Sequence, residues 1–443
     1  MVILILDTNQ TGSSMPLLFL RILLLAILPL LLSSCASISK GIAESIFERE
    51  DNKEDTRACD VNGPAFRGLK SFMDNQGKHT ASSDNRPTTK ILMIHGIGHH
   101  LPGYSTRFST HLTRQLKLNV TSEIVKEINL TDPAFGNQPL GHLAVHRFFN
   151  KTRTREMIFY ELTWSEISHP EKREIEYDTS EKYSYKRADI NKVMKEFIND
   201  HIPDPMIYQG NSRSKIMASV VQSFCWMFHG NWRDIQPRQK KFCDLKTQSS
   251  YKEIKKDDYA VVTHSLGSKI IIDSLQEIAR DNSNEEKTPQ VVNMLNALKN
   301  KKIPIIMLAN QLPVLQLGRD KPKVTNQIDQ YCRRDGTKLK DRLFRELHIL
   351  AFSDPNDLLS YELPPKFARE KMDSRICPKM TNISINVAKV VSVMGLGNIA
   401  SPGEAHKGYD NDPRVIELIA HGIGHLGTSA LVRKRCSWLE TTN

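Results

Sequence analysis

Six short apolar runs, separated by stretches with helical periodicity, constrain the fold of this 443-residue chain more than any other feature. The runs cover residues 91–95, 157–163, 259–263, 303–308, 347–352 and 383–387. Alternation of such runs with helices is typical of a mostly parallel sheet with helices on its faces. Because 39% of the residues are hydrophobic, the chain can bury the core of a large α/β domain. The sequence predicts one sheet-centred domain over residues 90–443.

The long segment between the second and third runs, about residues 165–258, is predicted to be a helical insertion. Apolar residues recur at helical spacing in residues 190–198 and again in residues 216–227. We expect the second of these helices to pack on the sheet as an ordinary connection. The first follows a charged stretch at residues 171–187 and is a candidate lid over a pocket.

The N-terminal segment combines a basic residue, an apolar run and a cysteine. Arg21 precedes an apolar run over residues 22–32, which is long enough for a signal peptide but short for a membrane span. The letters LSSC at residues 32–35 resemble the lipobox of bacterial lipoproteins. The resemblance implies a signal peptide over residues 1–34, cleavage before Cys35 and lipid attachment to its thiol. An uncleaved apolar anchor is the alternative interpretation.

The same resemblance implies a location in the cell envelope. An aspartate after the lipidated cysteine tends to retain such proteins at the inner membrane, whereas Ala36 follows here. We therefore expect a lipid-anchored protein at the outer membrane, facing the periplasm. Met15 is a better start than Met1 for such a signal. Residues 35–89 are predicted to be the lipidated N-terminus and a tether, because residues 48–89 are mostly polar and turn-rich.

The cysteine content is compatible with export. If Cys35 is acylated, six cysteines remain, namely Cys59, Cys225, Cys243, Cys332, Cys377 and Cys436. An even number outside the cytosol permits three disulfides, but six cysteines allow about fifteen pairings and the sequence does not choose among them. Several simply buried thiols are the alternative. No C-x-x-C pair occurs, so a structural zinc site is not expected.

The charge balance is basic, with 61 Lys and Arg against 50 Asp and Glu and a net charge of +11. No zinc-finger spacing or RNA-binding signature accompanies this excess, so we expect no nucleic-acid partner. The positive charge is instead interpreted as a surface bias that favours anionic lipid or the cell envelope.

The letters THSLG at residues 263–267 stand between a β-rich run and a helical pattern. A strand, a sharp turn and a helix are the context of a nucleophile elbow, in which the turn exposes the serine hydroxyl above the sheet. Gly267 supplies the small residue that is needed after Ser265, whereas Thr263 replaces the usual glycine before it. The match to G-x-S-x-G is therefore partial. A helix-capping serine in a nucleotide-binding domain is the alternative, but no G-x-G-x-x-G or phosphate-loop motif accompanies it.

Three further stretches complete a chemical constellation. The first apolar run ends in HGIG at residues 95–98, where a glycine-flanked backbone N–H could meet a developing oxyanion. The fifth run is followed by Asp354 and Asp357 in a loop. His406 comes later, just before a helix that begins at Asp412-Pro413. Serine, acid and histidine thus occur in that order along the chain.

With these motifs, residues 90–424 resemble the α/β-hydrolase superfamily of serine lipases and esterases. The resemblance implies the α/β-hydrolase fold, with Ser265 as nucleophile and His406 as general base. It also implies that the backbone N–H groups of Ile97 and Leu266 form the oxyanion hole. The family's acid aligns best with Asp357, and Asp354 is the alternative. No cofactor and no metal are implied.

Other polar residues near these motifs are interpreted as structural. His264 is expected to line the pocket or pack, because a neighbour of the nucleophile points away from the elbow. His421 and His425 are alternatives to His406 that lie within or after the terminal helix. His99 and His100 are expected in a solvated loop rather than in a metal site. The acidic loop at residues 353–357 lacks the ligand number of a calcium site.

The sequence therefore predicts a lipid-anchored serine hydrolase that cleaves carboxylic esters through an acyl-enzyme. An acyl ester or a lipid is the expected substrate, and thioesters and amides are the alternatives, because a triad by itself does not distinguish these classes. The alternative is an envelope lipoprotein that retains this fold for binding or assembly without catalysis. Thr263 favours this alternative, and the ordered serine, acid and histidine oppose it.

Overall fold

A computed structural model describes residues 57–76, 86–176, 178, 187–236, 239–284, 287–393 and 397–441. The expected signal peptide, Cys35 and its lipid anchor lie outside these residues. The chain divides into two compact units. The larger contains residues 56–174 and 200–443, and the smaller contains residues 1–55 and 175–199.

The larger unit is built on a twelve-stranded mixed sheet with two short two-stranded sheets beside it. The strands in chain order are β1 (Cys59–Asn62), β2 (Phe66–Arg67), β3 (Thr89–Ile94), β4 (Val120–Thr121), β5 (Lys126–Thr131), β6 (Pro139–Phe149), β7 (Glu156–Thr163), β8 (Gln239–Lys241), β9 (Asp258–His264), β10 (Lys302–Leu308), β11 (Glu346–Ser353), β12 (Pro378–Ile385), β13 (Val390–Val393), β14 (Gly397–Ala400), β15 (Gly422–Ile423) and β16 (Cys436–Leu439). The main sheet has the order β16-β1-β12-β11-β10-β9-β3-β7-β6-β5-β8, and β4 pairs with β6.

The six predicted strands form the parallel centre of this sheet, in the order β7-β3-β9-β10-β11-β12. An α/β architecture with a mostly parallel sheet is therefore confirmed. Five of the six lie within one or two residues of their predicted bounds. The sixth predicted strand, residues 383–387, begins too far along the chain, since β12 already begins at Pro378. Polar residues alternate with apolar ones in the first half of β12, so this half shows no continuous apolar run.

Helices connect the strands along the chain. They are α1 (Lys70–Gln76), α2 (Thr106–Gln115), α3 (His169–Glu176), α4 (Asp189–His201), α5 (Pro203–Gln209), α6 (Arg213–His229), α7 (Leu245–Gln248), α8 (Tyr251–Lys256), α9 (Gly267–Asn284), α10 (Pro289–Leu298), α11 (Leu312–Leu315), α12 (Ile328–Cys332), α13 (Phe367–Lys371), α14 (Pro402–Lys407), α15 (Pro413–His421) and α16 (Ala430–Arg435). In its described residues, the insertion at 165–258 is mainly helical, and α4 and α6 coincide with its two predicted helices.

Two hydrophobic cores lie on opposite faces of the sheet. Alternate residues of one strand enter different cores, as Leu92 and Ile94 belong to one and Ile91 and Met93 to the other. All four of these side chains are buried. A strand that is covered on both faces reads as a continuous apolar run, which explains why the central strands were recognisable in the sequence.

The predicted tether is partly wrong, since residues 59–62 form β1 inside the main sheet. This strand pairs with β12 on one side and β16 on the other. Val61 is fully buried, and Cys59 is joined to Cys436 by a disulfide. The strand is only four residues long, and the polar, partly or fully exposed Asp60 and Asn62 alternate in it with the buried Cys59 and Val61. Its apolar pattern is therefore too short to stand out from a linker.

All six cysteines of the described chain are paired in three disulfides. Cys59 pairs with Cys436 across two adjacent strands, at a Cα separation of 4.4 Å. The other pairs are Cys225–Cys243 and Cys332–Cys377, with Cα separations of 5.8 and 5.4 Å. The structure therefore contradicts the alternative that several of these cysteines are buried free thiols.

The smaller unit is described only in its segment from residues 175–199. Most of α4 belongs to it, and Asp178 forms ion pairs with Arg187 at 3.2 Å and Lys195 at 3.1 Å. The lid interpretation of this segment stays a prediction. Within the described ranges, no helix has both the length and the apolar character that crossing a bilayer requires.

The buried His348 on β11 should make the stability of the folded protein sensitive to acid. Burial, followed by the nearby charge of Lys379, lowers the pKa of His348 to about 3. The unfolded chain therefore takes up this proton near pH 6.5, before the folded protein does, and stability falls as the pH drops below that value. The contribution lost between pH 7 and pH 4 is up to about 3 kcal/mol.

We expect His348→Gln to reduce the difference in unfolding free energy between pH 7 and pH 4 by this amount, as measured by urea denaturation. His169→Gln, which changes an exposed histidine, is the matched control and should leave the difference unchanged. The same pH dependence in His348→Gln and wild type would contradict the assignment.

Candidate active site

Ser265 lies in a sharp turn between β9 and α9, at the carboxyl end of a central strand. Its φ is 54°, in the left-handed region that serine rarely adopts. Two backbone hydrogen bonds hold it there, from Ser265 N to Leu308 O at 2.9 Å and from Ser268 N to Ser265 O at 3.0 Å. A strained strand-to-helix turn of this kind raises a side chain above the sheet edge. The predicted strand, turn and helix are therefore confirmed.

Two glycines allow the backbone to pack against this turn. A Cβ on Gly267 would lie 2.8 Å from Ile94 O, and a Cβ on Gly96 would lie 2.5 Å from the Cβ of Ser265. Neither distance is compatible with a carbon atom, so each position requires glycine. The close approach of Gly96 brings the loop after β3, residues 95–100, directly against Ser265.

Thr263 occupies the position where nucleophile elbows usually carry glycine. Its side chain is fully buried, and its hydroxyl lies 3.5 Å from Ile306 O. A Cβ on Gly267 would lie 3.4 Å from the Thr263 Cβ, so the glycine leaves room for the threonine. This departure from the G-x-S-x-G pattern therefore fits the turn without a steric conflict.

The 95–100 loop is held by a buried histidine. His95 Nε2 accepts the Trp164 N–H at 3.0 Å, so His95 Nδ1 carries the proton and donates to Gly96 O at 2.8 Å. Burial, followed by the neighbouring His100, keeps the pKa of His95 well below its ordinary value. A neutral ring with this tautomer fixes the loop beside Ser265. Within the described residues, no hydrogen bond uses the backbone N–H of Ile97 or Leu266.

His406 and Asp357 are joined directly. His406 Nδ1 lies 3.0 Å from Asp357 Oδ1 and 2.9 Å from Oδ2, and both side chains are buried. Burial raises the pKa of Asp357, but the hydrogen bond and charge of His406 lower it more, so the carboxyl titrates below its usual range. Asp357 therefore stays ionised and fixes the proton of His406 on Nδ1. His406 lies in α14 rather than in the predicted loop.

Asp354 has a different set of partners. Its Oδ2 accepts from Ala388 N at 3.0 Å, and its Oδ1 accepts from Asn356 N at 2.8 Å. One carboxylate oxygen thus binds the backbone of the loop after β11, and the other binds the segment that follows β12. Of the two aspartates that the sequence left open, the structure brings Asp357, and not Asp354, against His406.

His264 connects the elbow to the histidine segment. Its Nε2–H donates to His406 O at 2.8 Å, and the two rings are 5.0 Å apart in an edge-to-face arrangement. Burial, followed by the nearby His406, lowers the pKa of His264 to about 3. The neutral ring therefore holds the backbone of His406 next to the residue that precedes Ser265.

Two buried atoms of this cluster have no hydrogen-bond partner within the described residues: Ser265 Oγ and His406 Nε2. Buried polar atoms without partners are uncommon, and they often mark functional positions. Because Nδ1 of His406 holds the proton, Nε2 presents a lone pair. The site thus contains a free hydroxyl and a free base, with the base oriented by Asp357.

The other candidate residues take structural positions. His100 stacks on His95 with ring centroids 4.3 Å apart, and His421 Nε2 lies 3.1 Å from Gln115 Nε2. His425 Nδ1 accepts the Gly427 N–H in a turn. In the described ranges, no group of three or more His, Cys, Asp or Glu side chains could hold a metal ion.

Asp204 and Lys172 lie beside the 95–100 loop, although no sequence pattern predicted that they belong to the site. Asp204 Oδ2 accepts from Gly98 N at 2.6 Å and from Lys172 Nζ at 2.7 Å. The only local signal was an acid between two prolines, and this pattern usually indicates a solvated helix start. Asp204 and Lys172 lie 32 positions apart, and Asp204 meets Gly98 across 106 positions, so the sequence alone does not show these contacts.

A comparison of the chain with protein-family models, with curated proteins and with solved structures finds no match.

Proposed function

We propose that this protein is a serine hydrolase that cleaves carboxylic esters through Ser265, His406 and Asp357. The observation that carries the proposal is the pair of buried, unpartnered atoms, Ser265 Oγ and His406 Nε2, with Asp357 on the other side of the histidine ring. A hydroxyl needs a neutral imidazole to take its proton, and the imidazole needs a carboxylate to fix its tautomer.

The finer fold that we propose is the α/β-hydrolase fold. Three features support it. The serine turn follows a central parallel strand, the glycine-containing loop follows the neighbouring β3, and the chain order is serine, acid, histidine. Hydrolases of this fold combine these features and take one oxyanion donor from the loop after that neighbouring strand.

In the proposed reaction, Ser265 Oγ attacks the acyl carbonyl carbon while His406 Nε2 takes its proton. The backbone N–H groups of Ile97 and Leu266 donate to the oxyanion of the tetrahedral intermediate. The intermediate collapses as His406 returns the proton to the departing alcohol. Water then attacks the acyl-enzyme, gives a proton to His406 and releases the acid, and the proton returns to Ser265.

The reaction can be tested with p-nitrophenyl esters of increasing acyl length, together with a matched thioester and an anilide. We expect the esters to be hydrolysed fastest, and the dependence on acyl length to report the size of the acyl pocket. No hydrolysis of any of these substrates beyond the buffer rate would favour the binding lipoprotein.

We also propose that the protein is a lipoprotein of the bacterial cell envelope, anchored through Cys35 at the outer membrane. The LSSC letters at residues 32–35 support this proposal. The three disulfides support it too, because disulfides persist in oxidising compartments such as the periplasm. An acyl ester at the membrane would then be within reach of the site, although an anchor does not by itself select a substrate.

Cys35→Ser is expected to abolish incorporation of labelled palmitate and to move the protein from the membrane to the soluble fraction. The reason is that serine has no thiol for the lipid. Ser34→Ala keeps a small residue before the cysteine and is the matched control that should be lipidated normally. Unchanged membrane retention of Cys35→Ser would contradict the lipoprotein proposal.

A further inference from the structure

The insertion between β7 and β9 contributes a carboxylate to the loop after β3. Asp204, in the first turn of α5, accepts the Gly98 N–H at 2.6 Å. Its side chain is fully buried. Gly98 follows Ile97, whose N–H is a proposed oxyanion donor. A hydrogen bond at Gly98 therefore fixes the peptide unit immediately after that donor.

Lys172 neutralises this buried carboxylate. Its Nζ lies 2.7 Å from Asp204 Oδ2 and 2.6 Å from Asp200 O, and its side chain is only 8% exposed. Burial raises the pKa of Asp204, whereas the hydrogen bond and charge of Lys172 oppose this rise. Without Lys172, a buried negative charge next to the loop would disfavour a second negative charge on the substrate oxygen.

The same loop has further anchors on its other side. His100 N donates to Ser165 Oγ at 3.3 Å, and Ser165 Oγ donates to His100 O at 3.0 Å. Together with the His95 contacts, these bonds hold both ends of the 95–100 segment. In its middle, beside the proposed oxyanion donor, Asp204 accepts the Gly98 N–H and the His100 Nε2 atom lies 3.0 Å from Ile97 O.

We propose that Asp204 is a positioning residue for the oxyanion hole. Lys172 supplies the positive charge that offsets the buried negative charge of Asp204 beside the site. This inference rests on the proposed function of Ser265. By accepting the Gly98 N–H, Asp204 orients the Ile97 N–H toward the carbonyl oxygen of a substrate bound at Ser265. Small displacements of such a donor reduce the stabilisation of the transition state more than the binding of the substrate.

Two variants of Asp204 distinguish a role in positioning the oxyanion donor from a role in stabilising the fold. Asp204→Asn keeps an acceptor oxygen for Gly98 and should retain kcat within about threefold, whereas Asp204→Leu removes the acceptor and should lower kcat by about 10- to 100-fold. KM for the same ester should change by less than about threefold, because the effect is on the transition state.

A double variant keeps the test valid if Asp204→Leu leaves Lys172 buried without a partner and the protein unfolds. Asp204→Leu combined with Lys172→Met removes both charges, and replacing a buried pair with apolar residues is often close to neutral for stability. We expect this double variant to melt near the wild-type temperature and still to show the 10- to 100-fold loss in kcat. The Gly98 N–H lacks its acceptor in both variants.

The measurements are ester hydrolysis, the rate of labelling by a fluorophosphonate and the melting temperature, all on the full chain. A folded double variant with wild-type kcat and labelling rate would overturn the inference and leave the proposed function intact. A wild-type protein that neither hydrolyses esters nor reacts with the fluorophosphonate would overturn the proposed function and this inference with it. A reduced kcat and labelling rate in the folded double variant, with rescue in Asp204→Asn, supports the inference.

Discussion

Ser265→Ala is expected to lower kcat/KM for ester hydrolysis by about 10⁴-fold or more, without loss of stability. The substitution removes the only atom that can attack the acyl carbon in the proposed reaction. Alanine keeps the Cβ that packs near Gly96, and the removed hydroxyl has no hydrogen-bond partner within the described residues. The folded protein should therefore melt at the wild-type temperature or slightly above it.

Ser274→Ala is the matched control for this prediction. Ser274 is also buried on α9, and its hydroxyl donates to Ile270 O at 2.9 Å, away from the turn. We expect this variant to retain activity within about threefold of the wild type, because a hydroxyl outside the active site takes no part in the reaction. Hydrolysis by Ser265→Ala at a rate close to that of Ser274→Ala would exclude Ser265 as the nucleophile.

Asp357→Asn is expected to lower kcat by about 10⁴-fold, whereas Asp354→Asn should change kcat by less than about tenfold. An asparagine at position 357 has no negative charge and only one oxygen to accept the Nδ1–H of His406. His406 therefore loses both its fixed tautomer and its counter-charge. The Asp354 carboxylate accepts hydrogen bonds from Ala388 N, Asn356 N and Asn356 Nδ2, and His406 is not among its partners in the described residues. Its substitution should therefore reduce stability, by about 1–3 kcal/mol, more than it reduces catalysis.

The two aspartate variants are compared by kinetics and by urea unfolding of each purified protein. We expect a large kinetic loss for Asp357→Asn, and a loss of stability with little kinetic loss for Asp354→Asn. Full activity in Asp357→Asn together with an inactive but folded Asp354→Asn would contradict the proposed role of Asp357.

The centre of the fold was predictable because its strands are buried on both faces. Such strands appear as uninterrupted apolar runs, and all six that were predicted form the parallel centre of the sheet. The outer strand β5 alternates between buried and exposed positions over its first four residues, and β6 carries the polar residues His142, His146 and Arg147. Their polar residues hide the strand pattern. They were therefore missed, as was β1, which is held in place by its partners β12 and β16.

The local part of the candidate site was predictable as well. The turn at Ser265 is encoded within five residues, since Gly267 is required next to β3 and Thr263 fits beside it. The choice between Asp357 and Asp354 was not decided by the sequence, because both lie in one short loop after β11. It depends on which carboxylate meets His406, and that contact joins residues 49 positions apart.

The contacts of His264 and Asp204 could not be predicted for a related reason. His264 was expected only to pack or to line the pocket, but its ring donates to the backbone of His406, 142 positions further along the chain. Asp204 bonds to Gly98 across 106 positions. Both residues act through buried backbone groups, and such groups leave no pattern in the amino-acid sequence.

The most direct test of the central claim is labelling of the full chain with a fluorophosphonate, followed by mass spectrometry of its peptides. Phosphonylation requires an activated serine, so we predict one adduct, on Ser265, in the wild type. The adduct should be absent in Ser265→Ala and strongly reduced in His406→Ala, and Ser274→Ala should be labelled like the wild type. A wild-type protein that remains unlabelled, or one labelled equally after His406→Ala, would contradict the proposal that Ser265 is a nucleophile activated by His406.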